Sequence, residues 1–157
     1  MPVAAAKHRP GNPEIARHRR PSSDAVRRAA VRAVRRHGNA FLSQREALAA
    51  IRELLRRDDP QLRLGARRLR RILLQSPGLY VRAEYAERTD RPYPSRCPVC
   101  GEPLRPIPNR TLEGGTVMAG LRCSACSYWT HRTVRIPRRY RIGRAGIDGR
   151  EADPNSG

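Results

Sequence analysis

Apolar residues recur along this chain at two spacings: every three to four residues in the first half, then every second residue. Between 24 and 37, Val26, Ala29, Ala30, Ala33 and Val34 share one helical face, and Arg28, Arg32, Arg35 and Arg36 share the other. Ser23 or Asp24 can start this helix and Gly38 can stop it. Its apolar face is mostly alanine and buries little area, so it is expected to be marginal alone and to order fully only against a partner. A stronger helix follows over 44–57. Ser43 and Glu46 open it as a capping box, and Ala47, Leu48, Ile51, Leu54 and Leu55 form its stripe. Glu53 precedes Arg57 by four residues, the favourable order for an ion pair. Asp58-Asp59-Pro60 then reads as a turn and the N-cap of a further helix over 66–75. In that helix Leu69, Ile72 and Leu73 make a buried edge, with Arg67, Arg70 and Arg71 opposite and Arg68 flanking. Leu74 falls among the arginines, and the pattern gives it no role. After Ser76-Pro77-Gly78 the rhythm changes to two: Leu79, Val81, Ala83 and Tyr85 define a strand.

Helix, turn, arginine-rich helix and strand is an element order that resembles a winged-helix module over 43–86. Residues 87–95 are polar with two prolines and read as a linker. The four cysteines follow as two knuckles, Cys97-Pro98-Val99-Cys100-Gly101 and Cys123-Ser124-Ala125-Cys126-Ser127. Two residues between thiolates let both point at one ion, and two such turns complete a tetrahedral four-sulfur site suited to one structural Zn²⁺. Strands are expected at 104–110 and 116–122 around Glu113-Gly114-Gly115, with a third at 127–136. Over about 95–142 the chain resembles the zinc-ribbon families, with Ser127 where ribbons often have glycine. A disulfide framework needs an oxidising compartment that nothing in the chain implies. A redox dithiol needs a thioredoxin-like context, and an iron–sulfur cluster suits the thiolates better than the paired knuckles. The expected fold is therefore α+β. It has a disordered basic arm with one arginine-rich helix (1–40), a helical winged-helix-like module (41–86), a linker (87–95), a three-stranded zinc ribbon (96–145) and a disordered tail (146–157).

Charge narrows the function. The 157 residues hold 33 Lys and Arg against 14 Asp and Glu, and Lys7 is the one lysine. Residues 1–40 contain ten cations and two acids, 41–96 thirteen and seven, and 97–145 nine and two. Basicity spread this widely points to extended contact with a polyanion, and guanidinium is the better phosphate ligand. Arg132, Arg135, Arg138, Arg139, Arg141 and Arg144 fall in thirteen residues with no acid between them. Tyr128, Trp129 and His131 could stack on bases, but Trp129 is expected to fill the ribbon's small core instead.

Catalytic signatures are missing: no Gly-rich phosphate loop, no His-Glu-x-x-His and no Gly-x-Ser-x-Gly. No apolar run is long enough to span a bilayer and no secretory segment is evident, so an intracellular, cytoplasmic protein is expected. Residues 1–37 could alternatively be an organellar transit peptide. The chain looks like a small basic ribosomal-type protein, which implies a non-enzymatic binder of structured RNA such as rRNA, among other proteins of a particle. Its contacts would be Arg28, Arg32, Arg35 and Arg36, Arg67, Arg70 and Arg71, and Arg132, Arg135, Arg138, Arg139 and Arg141. The alternative is a DNA-binding transcription factor that places the 66–75 helix in a major groove.

Overall fold

The computed structural model describes residues 19–146, as three helices and two three-stranded antiparallel sheets in an α+β arrangement. The expected disorder of residues 1–18 and 147–157 lies outside the described residues, whereas Arg19, expected to be disordered with them, is paired with Asp59 at 2.9 Å. In chain order the elements are α1 (Ser23–Arg36), β1 (Ala40–Phe41), α2 (Gln44–Asp58), α3 (Ala66–Leu74) and β2 (Leu79–Arg88). There follow β3 (Leu104–Arg110), β4 (Thr116–Cys123), β5 (Trp129–Thr130) and β6 (Val134–Arg144). One sheet has the order β1-β6-β2 and the other β3-β4-β5.

Ser22 caps α1 by accepting from the Ala25 backbone N–H, and Ser43 caps α2 in the same way from Glu46. All five apolar residues of the α1 face are buried, in one core with Ile51 and Leu55 of α2 and Leu69 and Leu73 of α3. The expectation that α1 belongs to a basic arm is therefore corrected. The partner that orders it is the chain's own core, and its alanines let the helix axes approach closely. Asp59 also departs from expectation. It ends α2, and its carboxylate accepts from the Gln61 N–H at 2.9 Å, so Asp-Pro makes the turn. The cap of α3 is Gly65, which offers no side-chain bond.

The larger correction concerns β6. The sequence pattern assigns residues up to 145 to the cysteine module, with a strand at 127–136 completing its sheet. The third strand there is the two-residue β5, which pairs Leu121 with Thr130 and Arg122 with Trp129. β6 instead lies between β1 and β2, with Ile142 opposite both Phe41 and Val81. Burial explains the choice: Phe41 and Ile142 are sealed in the helical core, which no ribbon strand could reach. β2 runs on to Arg88, into the segment expected as linker, and a bulge between Glu84 and Tyr85 bends the β2–β6 ladder. The whole cysteine module thus leaves from the end of β2 and returns at the start of β6. None of the described helices is long and apolar enough to cross a membrane.

Candidate metal centre and its surroundings

Each knuckle is shaped by its own backbone before any side chain acts. In the first, the Cys97 N–H donates to Glu102 O and the Gly101 N–H returns to Cys97 O, both at 2.8 Å. Gly101 takes φ +84°, a left-handed conformation that a side chain would strain. In the second, Ala125 N–H points at the Cys123 sulfur at 3.3 Å and Cys123 N–H at Tyr128 O. Ser127 stands where ribbons often have glycine, and it stays out of the positive-φ region, so this turn carries no such strain.

The four Sγ atoms lie within 4.8 Å of one another, with Cys97–Cys126 and Cys100–Cys123 each at 3.5 Å. A tetrahedral zinc with Zn–S of about 2.3 Å has S···S edges of about 3.8 Å, so the sulfurs fit one such ion. Cys97, Cys100 and Cys123 are buried and Cys126 partly so. Hydrogen bonding from Cys126 holds Cys97 down to about 5, and the same bond pushes Cys126 up; burial raises Cys100 to about 11. Metal binding requires the ligating thiols to give up their protons. Four positioned cysteines with this chemistry can bind one metal ion. With four thiolates as ligands the set is closed, leaving no position for a reacting water.

Tyr128, not Trp129, fills the small core beside the cysteines: it is 1% exposed and its hydroxyl donates to Arg135 O. The expectation for Trp129 is corrected by the strand alternation, which turns it to the outer side of β5. There the Arg135 guanidinium sits 4.4 Å from the Trp129 ring and 4.1 Å from the Tyr85 ring of β2. Arg135 is therefore a cation held between two aromatic faces, one from each sheet, and not an open phosphate ligand.

The arginine side of α3 is also occupied. Arg70 is 8% exposed; its Nε donates to Val99 O at 2.6 Å, another of its nitrogens to Gln44 Oε1, and its guanidinium lies 4.4 Å over the Tyr140 ring. Arg71 pairs with Glu102 at 3.2 Å, and a Cβ on Gly101 would touch the Arg67 side chain at 3.0 Å. Leu74 packs on the cysteine cluster. Residues 67, 70, 71 and 74 make a second helical stripe, and the first knuckle docks on it. Arg70 as a nucleic-acid contact is corrected: its donors are committed inside the protein. The sequence did contain the signal, since Leu74 among the arginines at helical spacing marked a covered face.

The remaining predicted contacts are at the surface. Arg28, Arg32, Arg35 and Arg36 are exposed along α1, as are Arg132, Arg138 and Arg139. Arg141 pairs with Glu84 at 3.2 Å across the β2–β6 ladder. Within the predicted cation set, Arg70 is thus buried and Arg135 is held between two rings, while the α1 arginines, Arg132, Arg138, Arg139 and Arg141, and also Arg67 and Arg71 on α3, keep exposed side chains. Comparisons with protein-family models, with curated proteins and with solved structures find no match to this chain.

Proposed function

We propose that this is a non-enzymatic nucleic-acid-binding protein, held together by one structural zinc, which grips structured RNA through phosphate contacts. The observation that carries the reading is the division of the arginines. The exposed ones sit on elements fixed by the core, α1 above all, while Arg70 at the centre of the α3 arginines is sealed against a knuckle. Fixed, exposed guanidinium groups recognise the spacing of phosphates, which positions a partner without reading bases. Folded RNA is recognised largely in this way, by shape and backbone. A small metal-held body with distributed arginine fits a component of a ribosome or similar particle, or a factor associated with one, beside other proteins.

A second reading has its own support. The order α1-β1-α2-α3-β2-β6, with β6 between β1 and β2, is compatible with a winged-helix-like module, in which the cysteine module would stand where a wing does. This favours a DNA-binding transcription factor with α3 in the major groove. Arg70 counts against it, because bidentate recognition of guanine needs a guanidinium free to reach a base edge. The test is a competition at one fixed salt concentration among structured RNA, random duplex DNA and the best duplex recovered by selection. Tighter binding to structured RNA, with no duplex motif emerging, is expected. A reproducible motif bound more tightly than RNA overturns the lead reading in favour of the second.

A further inference from the structure

Arg70 comes from the helical half of the molecule, yet it also bonds to the cysteine module. Its Nε–H donates to the carbonyl of Val99, which with Pro98 lies between Cys97 and Cys100 in the first knuckle. Gln44 of α2 and the Tyr140 ring of β6 hold the guanidinium from the other side, and the Tyr140 hydroxyl donates to Pro98 O at 3.3 Å. A buried cation needs a compensating charge, and neither Gln44, Tyr140 nor a backbone carbonyl supplies one. Glu102, a carboxylate on this face, is paired with Arg71. Four thiolates around one divalent ion leave a net dianion, which is also partly buried and also in need of an opposite charge. The two deficits complete each other. Burial lowers the Arg70 guanidinium from its ordinary value, and neighbouring Arg67 adds to that effect.

We propose that Arg70 is a positioning residue for the metal centre, the counter-charge of the metal–thiolate group and the clasp that fixes the Val99 carbonyl, so that metal affinity depends on a helix outside the cysteine module. Partners of this kind around a metal's ligands typically alter affinity by about 10–100-fold when removed. The inference goes beyond nucleic-acid binding and does not require it.

The test uses the full chain, with zinc affinity read by competition against a chromophoric chelator and helical circular dichroism read in the same samples. Arg70→Met removes the charge while suiting an apolar pocket, since buried ions are often replaced by hydrophobes without loss of fold. It is expected to keep the helices and to weaken zinc binding by about 10–100-fold. Arg70→Lys keeps the charge without the planar fork and is expected to recover affinity to within several-fold of the parent. In the cobalt-loaded proteins, the thiolate-to-metal charge-transfer band should shift for Met and not for Lys. A folded Arg70→Met with affinity within twofold of the parent overturns the proposal. So does an Arg70→Lys that binds as weakly as Arg70→Met. Should Arg70→Met not fold, Arg70→Lys alone decides: a loss above tenfold in a folded protein overturns the counter-charge. A parent chain that takes up neither zinc nor cobalt overturns it together with the metal centre.

Discussion

At the scale of single residues, two glycines in strands separate what backbone and side chain can tolerate. A Cβ on Gly120 of β4 would collide with the Thr130 carbonyl oxygen and crowd His131, both main-chain atoms fixed by the β4–β5 ladder. A Cβ on Gly143 of β6 would meet the Tyr80 ring at 2.7 Å, and a half-buried ring can swing aside. Gly120→Ala is therefore expected to cost more than the roughly 1–3 kcal/mol typical of overpacking, and Gly143→Ala about 1 kcal/mol or less. Chemical denaturation of the zinc-loaded protein measures both, and equal costs would mean that the β4–β5 approach is looser than the ladder implies. Residue-level chemistry was the part most legible in sequence. The cysteine spacing picked out the four residues whose sulfurs the fold brings within 4.8 Å of one another, because ligand geometry is local and needs only a two-residue turn. Trp129 was misplaced for the opposite reason: which of two adjacent aromatics faces inward depends on a strand register that spacing does not specify.

Elements were found more reliably than their partners. The three helices fell within a residue or two of expectation because caps and the 3.6-residue stripe are local signals. The burial of α1 and the placement of β6 were not legible, since both are decided by contacts far apart in the chain. An alanine face looks marginal until it is known that α2, α3 and β6 surround it. The same packing gives a graded prediction. Leu69 of α3 and Leu55 of α2 are sealed in the core, and Leu48 only partly so. Leu69→Ala and Leu55→Ala should each cost about 2–5 kcal/mol, and Leu48→Ala clearly less, as read from denaturation midpoints. Deleting 23–37 should unfold the helical core outright, whereas an arm would be removable without loss of helix signal. Retention of the α2 and α3 helices in that truncation, by circular dichroism, would return α1 to the status of an arm.

For the whole molecule, two cores share one interface, and each has its own reporter. Trp129 is the single tryptophan and lies in the cysteine module, while helical dichroism comes from the other half. Chelation should therefore change tryptophan emission fully but helix content little, because the helical core keeps its own apolar cluster. Thermal stability of the helices should nevertheless fall, since Leu74 and the α3 arginines lose their cover. Helices melting at the same temperature with and without metal would mean that the two halves are uncoupled. On the proposed reading, the same division would govern binding. Removing Arg28, Arg32, Arg35 and Arg36 together should flatten the dependence of log K on log salt, by about 0.7–0.9 for each phosphate no longer neutralised. The weakening should be similar for matched and scrambled RNA, because phosphate contacts carry no base information. Arg67 keeps an exposed side chain at the edge of the covered face, so it is the α3 residue best placed to reveal base reading. Arg67→Ala should weaken binding modestly and without change of preference. If it instead costs about 1–3 kcal/mol on one duplex and relaxes one base pair, α3 is a reading helix despite the knuckle on its flank, and the α1 surface is secondary.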